Sequence, residues 1–124
     1  MAEDTAGDFM EERETLNRLM TEKADHVIKR FLSIDSLAYR DGVLKADVKE
    51  LLGLTASTVL RCDDCMRWHL SRCMEEGLST DEVMEALGIS MLVGGSITIP
   101  HIRRAVRYWC SIQGPESREV PDDV

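Results

Sequence analysis

Between about Phe9 and Gly114 the apolar residues of this chain recur in steps of three and four, and no segment sustains the alternation of a half-buried strand. That spacing restricts the fold to packed helices. Aromatic residues make up only 5% of the 124-residue sequence, so the core has to come from Leu, Ile, Val, Met and Ala, the residues that fill helical bundles. The expectation is one all-α domain over residues 9–114, with residues 1–8 and the acidic stretch 115–124 loose at its ends.

Turn residues divide the apolar pattern into helices. Phe9 to Lys23 carries Leu16, Leu19 and Met20 on one side among many charges, the mark of a surface helix with a narrow apolar stripe. Asp25 to Tyr39 brings Val27, Ile28, Phe31, Leu32 and Leu37 before Asp41-Gly42 turns the chain. Lys45 to Leu60 has little polar surface in its second half and is expected to be a buried central helix. The next helix starts near Cys62, with Asp63 and Asp64 in the first turn where acids suit the helix dipole, and stops at Gly77. Ser79 and Glu82 have the spacing of a capping box for a helix from Thr80 to Met91, which Gly94-Gly95 breaks. Pro100 fits the first turn of a last helix that ends by Gly114-Pro115, and the β-branched residues from Ile97 to Ile99 allow a short extended piece before it.

The formal net charge of −8 opposes binding to phosphate backbones and to anionic membrane surfaces. No basic start followed by an apolar run lies near Met1, and no stretch approaches the ~20 apolar residues of a membrane span, so the cytoplasm is the expected location. There Cys62, Cys65, Cys73 and Cys110 are expected to be catalytic, metal-binding or buried rather than structural disulfides.

Three of the four cysteines fall in one short segment. Cys62-Asp63-Asp64-Cys65-Met66-Arg67-Trp68-His69 joins a C-x-x-C pair to a histidine four residues beyond the second cysteine. On a helix those steps put all three side chains on one face, with Cys65 and His69 as neighbours one turn apart. One helical turn also brings the Cα atoms of Cys62 and Cys65 within the roughly 4.4–6.8 Å a disulfide needs. A neutral imidazole beside a thiol can take its proton, and the imidazolium then stabilises the reactive thiolate. If the Lys45–Leu60 helix folds back through a turn near Leu60, Glu50 and His69 stand equidistant from that turn and face each other. A carboxylate there can orient the imidazole and carry a proton.

Zinc competes for the same residues, because Cys62, Cys65, His69 and Cys73 form a string close to a zinc-knuckle pattern. Continuous helix across that string spans ~16 Å, too far for Cys62 and Cys73 to reach one ion with bonds of about 2.0–2.3 Å, which leaves a three-ligand site without Cys73 as the metal alternative. Cys73 and Cys110 are therefore assigned to core or interface, Trp68 and Trp109 to packing, and His26 and His101 to ordinary surface or capping positions.

Glu50, Cys62, Cys65 and His69 together reproduce a known spacing: a glutamate, eleven residues, then C-x-x-C-x-x-x-H. In this the chain resembles the alkylhydroperoxidase D-like, carboxymuconolactone decarboxylase family. The stretches Asp41-Gly42-Val43-Leu44, Lys49-Glu50-Leu51-Leu52, Glu76-Gly77-Leu78-Ser79 and Gly94-Gly95 extend the likeness over about Phe31 to Trp109. The resemblance implies a helical bundle with a central helical hairpin and a Cys62–Cys65 pair cycling between dithiol and disulfide. It further implies a Glu50–His69 proton relay, and protomers assembled as trimers or hexamers. The activity so implied is a thiol peroxidase or disulfide reductase that acts on a peroxide or disulfide, is regenerated by an external dithiol, and needs no bound organic cofactor. A cofactor-free lactone decarboxylase or isomerase using Glu50 and His69, and a non-enzymatic oligomeric redox-sensing adaptor, are the alternatives. Peroxidase members place a second histidine just before the second cysteine, where this chain has Asp64. Two carboxylates beside the thiols oppose thiolate formation, so a redox pair with weakened peroxidase activity is expected.

Overall fold

A computed structural model describes residues 6–113. Six α-helices, α1 (Ala6–Lys23), α2 (His26–Ala38), α3 (Ala46–Val59), α4 (Asp63–Glu75), α5 (Thr80–Gly94) and α6 (Ile99–Ile112), are joined with one 3-10 turn at Ser96–Thr98. No strand occurs among the described residues, and none of the described helices is long and apolar enough to cross a membrane.

The helix ends follow local chemistry. The Asp25 carboxylate caps α2 by accepting from the Ile28 N–H, and Ser79 and Glu82 form the reciprocal capping box that starts α5. Lys45 gives α3 no side-chain cap. Asp41 substitutes from the preceding turn, its Oδ1 accepting from the Ala46 N–H at 2.8 Å. After α4, Gly77 takes φ +80°, and the Leu78 N–H reaches back to the Cys73 carbonyl to close the end. Three boundaries differ from the sequence reading. Helix α1 already begins at Ala6, inside the stretch expected to be loose, while residues 1–5 and 114–124 lie outside the described residues. Helix α5 runs on to Gly94 because only Gly95 leaves the helix, with φ +84°. The extended piece at Ile97–Ile99 is instead the 3-10 turn entering α6, where the Thr98 hydroxyl donates to the Gly95 carbonyl at 2.8 Å and so satisfies the turn internally.

Helix α3 is central: it packs on α4 and α5, and α4 packs in turn on α6. Leu54, Met66, Leu70, Val83, Leu87 and Trp109 meet there almost without solvent contact. The Trp109 indole N–H donates to the Thr80 hydroxyl at 2.9 Å, which satisfies its polar edge. Helix α1 is attached by Phe9, whose ring meets Tyr108 edge-on at 5.6 Å, and by Arg13, stacked 3.6 Å above Trp68. The apolar stripe expected of α1 is not what attaches it, for Leu16, Leu19 and Met20 are all exposed.

Helix α2 departs furthest from expectation, because none of its residues is buried. Val27, Phe31, Ile34 and Leu37 face outward, and Leu52 on α3 joins this open apolar surface, so α3 is buried on one side only. The end of α2 is tied down by Lys49, whose Nζ donates to the carbonyls of Ala38 (2.8 Å) and Arg40 (2.7 Å). That tether places Tyr39 over the centre of the molecule.

Candidate active site

The α3–α4 hairpin brings together the four residues singled out from the sequence. Its turn is tight: Arg61 adopts φ +60°, and the N–H groups of Arg61 and Cys62 both return to carbonyls of α3 at 3.0 Å. Cys62 is thereby set as the N-cap of α4, with its Sγ accepting from the Cys65 N–H at 3.3 Å. Cys62 and Cys65 are joined as a disulfide with a Cα–Cα separation of 5.3 Å, inside the permitted range. Cys65 is exposed and Cys62 is half-buried. An incoming nucleophile therefore meets Cys65 first. The sulfur it displaces, that of Cys62, sits at a helix N-terminus, where an N–H and the helix dipole favour negative charge.

One turn along α4 from Cys65, Glu50 on α3 and His69 on α4 form a buried pair, His69 Nδ1 lying 3.2 Å from Glu50 Oε2. A carboxylate only accepts, so Nδ1 carries a proton, and in the neutral form of the ring Nε2 keeps its lone pair. The Tyr39 hydroxyl donates to Nε2 at 3.5 Å, and the two rings are in contact with centroids 5.2 Å apart. Burial first, then the charges of Asp35 and Glu50, hold the Tyr39 phenol above its ordinary pKa, so it stays a donor. Glu50, His69 and Tyr39 thus make one hydrogen-bonded line from α3 through α4 to the end of α2. Both ring nitrogens of His69 are engaged in it, and exchange of a proton with a Cys65 thiol requires the long Tyr39 bond to open.

Two clefts flank this line. A mixed-charge cleft of about 470 Å³, lined by Tyr39, Arg40, Glu50, Trp68 and Arg72, gives the buried carboxylate an opening to solvent. An apolar cleft of about 550 Å³ lies on the other side of Tyr39, against Phe31, Ile34, Leu52 and Gly53. Gly53 has a steric role as well: a Cβ there would come within 2.5 Å of the His69 ring. Only glycine lets α3 approach the imidazole closely enough for the Glu50 bond.

The remaining cysteines lie apart from this chemistry. Cys73 is fully buried, and burial, followed by the charges of Glu50 and Glu76, pushes its thiol up to about 12. Cys110 is a free, exposed thiol on α6. The sequence reading missed Tyr39, Gly53 and the setting of the acids between the cysteines. Asp63 does not confront the sulfurs alone, since His101 and Arg104 of α6 hold its carboxylate. His101, read as an ordinary surface or capping residue, is one of those partners.

The model of the carboxymuconolactone decarboxylase family matches residues 26–108, the stretch that holds the α3–α4 hairpin and its site. The chain belongs to this family, in its alkylhydroperoxidase D-like form. A Thermotoga maritima protein of known crystal structure is 50% identical and superposes with a TM-score of 0.85, covering 90% of this chain and 97% of that one. A second crystal structure of that protein, described as a carboxymuconolactone decarboxylase family protein with a suggested involvement in antioxidative response, matches with 53% identity and a TM-score of 0.78 over 82% of this chain and 86% of the other. A Legionella pneumophila family protein shares the fold at 19% identity, with a TM-score of 0.77 over 84% of this chain and 93% of its own. An uncharacterised Cupriavidus necator protein is 29% identical over 79 residues, which are 64% of this chain and 70% of the relative.

Two outcomes follow from the site's geometry. In the reduced, folded protein at pH 8, with a thiol pKa of about 12, Cys73 has only about one molecule in ten thousand as thiolate. Iodoacetamide followed by mass mapping should therefore label Cys62, Cys65 and Cys110 and reach Cys73 only after unfolding; early labelling of Cys73 would contradict its burial. Gly53→Ala should expel the imidazole from its seat, changing the His69 ring ¹⁵N shifts and lowering stability by about 1–3 kcal/mol in urea denaturation. Unchanged ring shifts would show that the close approach is not required.

Proposed function

We propose that this protein is a thiol–disulfide oxidoreductase of the alkylhydroperoxidase D-like type, acting as a peroxidase or a disulfide reductase through Cys62 and Cys65. One observation carries the reading: a disulfide with one exposed sulfur starts the same helix that holds His69 against the buried carboxylate of Glu50. The suggested antioxidative involvement of the Thermotoga maritima relative agrees with it.

In the reductive half, a thiolate of an external dithiol attacks the exposed Cys65 sulfur, the Cys62–Cys65 bond breaks, and Cys62 leaves as a thiolate stabilised at the N-cap. The donor's second thiolate then attacks the donor sulfur of the mixed disulfide, closing the donor disulfide and releasing Cys65. In the oxidative half, His69 takes the Cys65 proton through Nε2 once Tyr39 yields, and Glu50 stabilises the imidazolium. The Cys65 thiolate attacks one peroxide oxygen, giving a sulfenic acid and an alkoxide that recovers the proton from His69. Cys62 then attacks the Cys65 sulfur, water leaves, and the disulfide is restored. With a disulfide substrate, Cys65 forms a mixed disulfide instead and Cys62 resolves it. A lactone decarboxylase or isomerase would use Glu50 and His69 but leave the disulfide without a role.

The same reading takes the open apolar surface of α2 as the contact through which protomers associate, in line with the trimers or hexamers implied by the resemblance. Residues such as Val27, Phe31 and Ile34, exposed in the single chain, would be covered there.

Steady-state turnover of an organic hydroperoxide and of a small disulfide, with a dithiol donor, tests the mechanism. Cys62→Ser and Cys65→Ser should each abolish turnover, and Glu50→Gln, which keeps the shape of the buried group, should slow it by about a hundredfold or more. Full turnover of both substrates by Cys65→Ser would sink the proposal.

A further inference from the structure

Two acids between redox cysteines are an electrostatic liability, and the fold turns them in opposite directions. Asp63, the first residue of α4, is held at both oxygens: Oδ1 lies 2.6 Å from His101 Nδ1, and Oδ2 accepts from Arg104 Nε at 2.7 Å. His101 and Arg104 are one turn apart on α6, a helix fixed in the core by Ile102 and Ala105. Arg104 Nη2 also approaches His101 Nδ1 at 3.1 Å. That nitrogen cannot donate to Asp63 and accept from Arg104 at once; the shorter contact to an ionised carboxylate makes it the donor to Asp63. Burial by itself would raise the Asp63 carboxyl, but the hydrogen bonds and charges of Arg104 and His101 outweigh it and hold the group below the usual carboxylate range. Asp64 faces the opposite way, toward Arg13 on α1, with which it lines a separate polar cleft.

We propose that Arg104 and His101 are positioning residues for the cysteine pair: they neutralise Asp63 and pin the first turn of α4 to α6, keeping the reduced Cys62 thiolate stable beside two acids. The inference rests on the redox role proposed above for this pair. The other charged groups around the turn are Arg61, Asp64 and Arg67 on the hairpin itself and Arg13 on α1. Arg104 holds Asp63 Oδ2 through its guanidinium, so its removal exposes the Asp63 charge to the sulfur of the adjoining residue.

The test is the pH dependence of Cys62 and Cys65 alkylation in the reduced full-length protein, read per cysteine by mass mapping, with circular dichroism to check folding. Arg104→Gln should raise the Cys62 midpoint by about one pH unit, roughly a tenfold slower reaction at pH 7, and Arg104→Lys should recover most of the loss. Asp63→Asn should move the midpoint the other way, because Arg104 then acts on the thiolate unopposed. The Asp63→Asn/Arg104→Gln double variant should return close to the parent. A purely structural clamp would not yield shifts of opposite sign that cancel. Superimposable profiles for the parent and Arg104→Gln would overturn the proposal, as would a double variant as slow as Arg104→Gln. Should Arg104→Gln not fold, Asp63→Asn decides alone: a lowered midpoint supports the proposal and an unchanged one rejects it. The alkylation profile needs no turnover. A parent that forms no Cys62–Cys65 disulfide with oxidant would instead defeat the redox reading itself.

Discussion

A carboxylate as buried as Glu50 is tolerable in a helical core only if something donates to it, and here the donor is the imidazole of His69 at 3.2 Å. This bond sets the register of α3 against α4. Because Gly53 leaves no room for a Cβ beneath the ring, it also sets how closely the two helices approach. The hairpin in turn fixes the Cys62 N-cap and aims the disulfide outward at the start of α4. Core packing, the buried Glu50–His69 pair and the placing of the disulfide are consequences of one helix crossing.

How far this could be read from the sequence depended on whether the controlling contacts were local. A turn near Leu60 and the regular rise of two helices were enough to place Glu50 opposite His69, and one helical turn was enough to bring Cys62 to Cys65. Tyr39 was not legible in the same way: it reaches His69 from the end of α2 only because Lys49 ties that end to α3. Asp63 likewise finds His101 and Arg104 at separations of 38 and 41 residues, which helical periodicity does not encode. Gly53 looked like any helical glycine, and only the close approach of a ring gives it meaning. The β-branched run at Ile97–Ile99 failed as an extended piece because a local hydroxyl-to-carbonyl bond within a 3-10 turn satisfied the backbone better. The apolar faces of α1 and α2 were recognised correctly as helical stripes, yet the folded chain leaves them largely uncovered.

The setting of the acids changes the expected chemistry of the pair. Read from the sequence, Asp63 and Asp64 were two charges opposing a thiolate. In the fold they diverge: Asp63 turns toward α6, where Arg104 holds it, and Asp64 toward α1, where it lines a cleft with Arg13. A thiolate at Cys62 therefore sits at a helix N-terminus whose nearest acid is already compensated. The Cys73 thiol, by contrast, is fully buried, and that burial raises its pKa.

The most direct test of this account is a count of free thiols in the reduced protein before and after one equivalent of hydroperoxide, with peptide mapping of any new bond. The account predicts the loss of two thiols to a single Cys62–Cys65 disulfide, with Cys73 and Cys110 still free. Retention of all the thiols, or a bond that includes Cys73 or Cys110, would contradict it.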